Sequence, residues 1–120
     1  MAFRALLVPA VVSVCVLVAG PASAHARLVT SDPAANATVA APKTIRLTFN
    51  EKLAPAFSSF DLAMADGMTA PLKVSVSQDR KTMTGVPKGQ LMAGAYKVTW
   101  RAASADDGHR MDGAFTFTVK

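Results

Sequence analysis

The sequence predicts an all-β domain: a small Greek-key β-barrel or sandwich, Ig-like or cupredoxin-like, with about seven antiparallel strands. Three observations predict it. Apolar residues alternate with polar ones at a period of two in "TIRLTFN", "AYKVTWR" and "AFTFTVK", the mark of strands buried on one face. Clusters of Gly, Pro, Asp and Asn punctuate these runs at short intervals. No segment past the first two dozen residues carries the 3.6-residue period of a long amphipathic helix.

The N-terminal segment stands apart from the domain. Arg4 precedes the uncharged apolar run "ALLVPAVVSVCVLVAG", and Ala22-Ser23-Ala24 has the small-residue spacing of a leader-peptidase site. Residues 1–24 are therefore expected to be a cleaved Sec signal peptide and residues 25–120 a single exported β domain, periplasmic in location. Pro9 interrupts the run, which falls short of the ~20 residues a spanning helix needs. Cys15, the one cysteine, lies inside the leader, so the mature domain has no disulfide and rests on its apolar core.

Strands follow in order. A first is expected near Arg27–Thr30, before the turn "SDPAANA". Ile45, Leu47 and Phe49 then face one side, with Arg46 and Thr48 on the other. "EKLAPAFSS" has room for one helical turn, limited by Pro55. Further strands fit Ser58–Ala63, Leu72–Val76 and Thr82–Val86, parted by "ADGM" and "SQDR". After "VPKGQLMAG", Tyr96, Val98 and Trp100 share a face. After "ADDGHRMDG", read as a turn, Phe115, Phe117 and Val119 do the same. The four aromatic residues Tyr96, Trp100, Phe115 and Phe117 are assigned to the core.

Beyond the leader, twelve Lys and Arg stand against eight Asp and Glu. The cations are scattered, and only Arg80 and Lys81 adjoin, which argues against nucleic-acid binding. The residues able to carry chemistry are few: His25, His109 and the single glutamate, Glu51. Cleavage after Ala24 would give His25 a free α-amine. That amine and its own imidazole can chelate one metal ion; His109 adds a second imidazole and Asp107 a carboxylate oxygen. Gly108 lets the chain turn sharply between them. In extended backbone the Asp107 and His109 side chains would point the same way. Three nitrogens and one oxygen in a tetragonal arrangement suit Cu(II) better than Zn(II). The competing reading is a solvated loop in a metal-free Ig-like interaction module.

The segments "AHARLVTSDPAANATVAAPKTIRLTFNEKL", "LAMADGM" and "SADDGHRMDGAFTFTV" resemble the CopC family of periplasmic copper-binding, copper-resistance proteins over essentially the whole exported chain. The resemblance implies a Greek-key β-barrel, no enzymatic activity and one Cu(II) per chain. Its ligands would be His25 through amine and imidazole, an aspartate, and His109. It implies a monomer that sequesters or carries copper, with an inner-membrane copper importer of the CopD type as candidate recipient. It also implies that Glu51 lies near the metal in an outer position, holding the amine; the alternative for Glu51 is an exposed charge paired with Lys52 or Arg101. The family pattern has one acidic residue where "SADDGH" has two, leaving Asp106 and Asp107 as candidates; Asp107 keeps the two-residue spacing to His109. Some members hold Cu(I) in a methionine- and histidine-containing loop. Of Met64, Met68, Met83, Met92 and Met111 only the first two are close in sequence, with no histidine near, so no Cu(I) site is expected. A copper-dependent oxidase with a histidine brace is the enzymatic alternative.

Overall fold

The computed structural model describes residues 26–120, and the expected leader and His25 lie outside them. Among the described residues nine strands form two sheets: β1 (Leu28–Asp32), β2 (Thr38–Val39), β3 (Ile45–Phe49), β4 (Ser59–Met64), β5 (Thr69–Ala70), β6 (Leu72–Val76), β7 (Thr82–Pro87), β8 (Gly94–Ala103) and β9 (Arg110–Val119). The sheets are ordered β1-β3-β7-β6 and β2-β9-β8-β4-β5. They face each other as an open sandwich, not a closed barrel. Seven strands have five residues or more, matching the expected set. The two-residue β2 and β5 are additions, and β2 pairs with β9 in parallel. "EKLAPAFSS" does hold one turn, a 3-10 turn at Pro55–Phe57.

The alternation places the core where the sequence puts it. Ile45, Leu47 and Phe49 of β3 and Met83 of β7 meet Phe60 and Leu62 of β4, Tyr96, Val98 and Trp100 of β8, and Phe117 and Val119 of β9. Phe49 and Trp100 meet edge to face at 5.1 Å, and Tyr96 and Phe117 stack at 5.6 Å. Phe115, expected in the core, is only partly buried and packs against it.

One expected boundary is wrong. The stretch 105–113 is not all turn, because β9 begins at Arg110 and pairs with β8 from Ala103↔Arg110 onward. Asp112 and Gly113 look like turn residues, but Gly113 lies opposite Trp100 inside the ladder. A Cβ on Gly113 would come within 2.6 Å of Trp100 Cζ2. This glycine marks the close approach of an indole ring.

Candidate metal centre

Three segments meet at the end of the sandwich where β3 and β8 finish. The first is the start of the described chain. Ala26 is wholly buried and belongs to the core cluster. Arg27 donates its N–H to Asn50 Oδ1 at 2.6 Å, and the Asn50 N–H donates to the Arg27 carbonyl at 3.1 Å. The second is the segment after β3, which runs along the end of β8. Leu53 bridges Ser104, the Ala105 N–H donates to the Lys52 carbonyl at 2.9 Å, and the Ala54 N–H to the Ala103 carbonyl at 2.8 Å. The third is the loop 105–109 between β8 and β9.

Ser104 joins the second and third. It continues the inward phase of Trp100 and Ala102 and is only 1% exposed. Its hydroxyl donates to Glu51 Oε1 at 2.7 Å and accepts the Asp106 N–H at 3.3 Å. Its own N–H donates to the His109 carbonyl, and its carbonyl accepts the Gly108 N–H, both at 2.9 Å. Every backbone group of Ser104 is thus spent on closing the loop that carries Asp107 and His109.

The geometry between Asp107 and His109 differs from the extended arrangement expected. Gly108 has φ 72°, a left-handed value that favours glycine. The Asp107 carboxylate accepts the His109 N–H at 2.9 Å, so the pair is joined by an Asx-turn, in which a short acidic side chain takes the place of a backbone acceptor. This N–H, the nearby His109 imidazole and the Ser104 hydroxyl hold the Asp107 carboxyl below the usual carboxylate range, against an upward push from lost hydration. Asp107 is therefore an anion at neutral pH. Asp106 is exposed, and its amide serves Ser104.

Glu51 is half-buried and pairs with neither alternative partner in the way expected of a loose charge: Arg101 bridges Asp61 at 3.1 Å, and Glu51 accepts from Ser104. Sequence reasoning assigned no role to Ser104 or Asn50. The first was detectable, since a small polar residue on the buried phase of a strand needs a partner. Among the described residues no three His, Cys, Asp or Glu side chains gather as a metal-binding group. Asp107 and His109 lie together on the loop after β8, with Glu51 tied to the same loop through Ser104. The Met64 N–H donates to the Met68 carbonyl at 2.7 Å. Met83 is in the core, while Met64 and Met92 border one depression beside Tyr96, at the far end of the β4–β8 ladder.

Residues 28–120, which span all nine strands, match the family model of the CopC domain. The chain belongs to the CopC family. It is 39% identical to copper resistance protein C of Xanthomonas campestris pv. juglandis over 99% of this chain and 98% of that one. It is 41% identical to copper resistance protein C of Escherichia coli over 86% and 87% of the two chains. In structure it is similar to PcoC, a methionine-rich copper resistance protein from Escherichia coli, with a TM-score of 0.75, 42% identity and coverage of 81% of this chain and 100% of that one. CopC from Methylosinus trichosporium OB3b follows with a TM-score of 0.73 and 32% identity over 80% and 94%. Glu51, Asp107 and His109 all fall within the matched CopC domain, and His25 precedes it.

Proposed function

We propose that this CopC-family chain is a periplasmic binding protein for Cu(II) that serves copper resistance or homeostasis and is not an enzyme. One Cu(II) would be held by the α-amine and imidazole of His25, by Asp107 and by His109, with Glu51 as the outer carboxylate that accepts from the amine. The observation that carries this reading is the meeting of the three segments. The buried Ala26, one peptide bond after His25, is followed by Arg27, whose backbone is bonded to Asn50, next to Glu51, and Glu51 is bonded to the hydroxyl that closes the Asp107–His109 loop. The relatives' names, copper resistance protein C, favour copper among the metals such donors could take. Export and cleavage after Ala24 belong to the same reading, since only cleavage frees the amine.

The donor set determines the chemistry. The α-amine, with an ordinary pKa of about 7.7–8.0, and the imidazoles must be free of protons to bind, so affinity falls as the pH drops below neutrality. Asp107 stays ionised near neutral pH because its pKa lies lower still. Asp107 would add a fourth donor to the three nitrogens, and so full a ligand set would favour storage and carriage over oxidase chemistry. Release would follow from protonation of the amine. Transfer to an inner-membrane importer of the CopD type is the proposed onward step.

The test begins with mass spectrometry of the exported protein and continues with Cu(II) binding and EPR. The expected chain starts at His25, binds one Cu(II), and loses tenfold or more in affinity per pH unit as the pH falls below neutrality. His25→Ala, His109→Ala or one residue added before His25 should each abolish the tight site. A start at another residue, or binding unchanged between pH 5 and 8, would overturn the assignment.

A further inference from the structure

We infer that Asn50 is a positioning residue for the metal site, holding the start of the exported chain in place through the backbone of Arg27; this rests on the copper reading above. Three observations lead to it. Asn50 uses its side-chain oxygen and its own N–H on the two polar groups of one residue, the N–H and the C=O of Arg27, at 2.6 and 3.1 Å. Two-point attachment fixes both the position and the orientation of that peptide. Next, Ala26 is buried in the core cluster with 0% exposure, so the residue between Arg27 and His25 is itself anchored. Finally, the β1–β3 ladder, irregular between Thr30 and Leu28, ends at Leu28↔Phe49. Past Phe49 strand β3 has ended, and the Asn50 amide oxygen takes over the pairing that a longer strand would supply.

The consequence for the site is entropic. A chain terminus ordinarily frays, and a ligand pair carried on a fraying end must be ordered when the metal binds. Successive Cα atoms lie about 3.8 Å apart, so the attachment point of His25 is one peptide unit from the buried Ala26. Glu51 adjoins Asn50 on the other side and reaches the Asp107–His109 loop through Ser104. Asn50 thereby links the chain start to the segment that the loop is tied to. The side chain contributes an acceptor alone, Oδ1, while the other bond comes from the Asn50 backbone N–H. It is also exposed and lies outside the strand, so truncating it opens no hole in the core.

The acceptor-only role gives a clean test. Asn50→Ala removes the oxygen, while Asn50→Asp keeps it. Cu(II) affinity, measured by competition with a chelator at neutral pH on the exported, processed protein, should fall roughly three- to tenfold in N50A, the range set by one hydrogen bond. N50D should stay within about twofold of wild type on the same basis. The EPR spectrum of N50A should gain a second component lacking the amine nitrogen, and Arg27 amide exchange in the metal-free protein should quicken in N50A and not in N50D. The assignment is overturned if N50A matches wild type in affinity and spectrum, or if N50D is weakened as much as N50A. A wild-type protein that takes up no Cu(II) overturns the copper reading and this assignment together. That outcome is distinguishable from failure of Asn50 alone, in which wild type and N50A bind equally well.

Discussion

Position 113 has room for a hydrogen atom and nothing larger. The Trp100 indole occupies the space above it, and a methyl there would lie 2.6 Å from Cζ2. Gly113→Ala must displace an indole that is itself packed edge to face on Phe49. Such overpacking typically costs about 1–3 kcal/mol, which should appear as a lower melting temperature and an altered tryptophan emission in the apoprotein; an unchanged midpoint would mean that the ring moves freely. Composition and pattern singled out Asp107, His109 and Glu51 as chemically able residues. They could not single out Gly113, because a glycine that admits a ring and a glycine that makes a turn are the same letter. Nor could they give the Asx-turn, which depends on Gly108 adopting φ 72°. Asn50 was hidden for a different reason: its work is done on a backbone, and no side-chain pattern announces that.

Among the elements, the strands with a clear period were legible and the short ones were not. β3 and β6 fall within the residues expected, since five residues suffice to display alternation. β2 and β5, two residues each, contain no period to read and exist only because a neighbouring strand lies beside them. The edge strand β1 carries an irregularity between Leu28 and Thr30 that turns Val29 outward, 58% exposed; bulges of this kind spoil an edge as a template for another chain. The 3-10 turn at Pro55–Phe57 is fastened to β8 by the Ala54 N–H, which donates to the Ala103 carbonyl, and by the Ser58 hydroxyl. Ser58 Oγ donates to the Ala54 carbonyl at 2.8 Å and accepts the buried Ala103 N–H at 3.1 Å. Ser58→Ala leaves that amide unpartnered, a loss of about 1–3 kcal/mol. Chemical denaturation should show the loss, with faster exchange at Ala103; no change in either would mean that water takes the place of the hydroxyl.

The whole domain is held by a two-sheet core, and its response to acid follows from where its carboxylates lie. The Ser77 hydroxyl and the Lys81 N–H lower the pKa of Asp79, as the His109 N–H lowers that of Asp107. A carboxyl with a depressed folded pKa contributes stability above its unfolded pKa and loses it as pH falls through the folded value. Both groups are exposed, so each contribution is small. The melting temperature of the metal-free protein should therefore be level from neutrality down to about pH 5 and fall below about pH 4. Asp79→Asn should lie slightly below wild type at neutral pH and converge with it in acid; parallel curves would show that Asp79 contributes nothing through its charge.

The meeting of three chain segments at one end also bears on when the site comes into being. Arg27 and Asn50 are 23 residues apart, and Glu51 and Ser104 are 53 apart. Contacts of such long separation pay their loop-closure entropy early and form with the topology as a whole. An unfolded chain has no such end until both sheets have closed. Under the proposed function copper is then a lock and not a template: it cannot guide the chain to its fold, but once bound it holds the finished domain against unfolding.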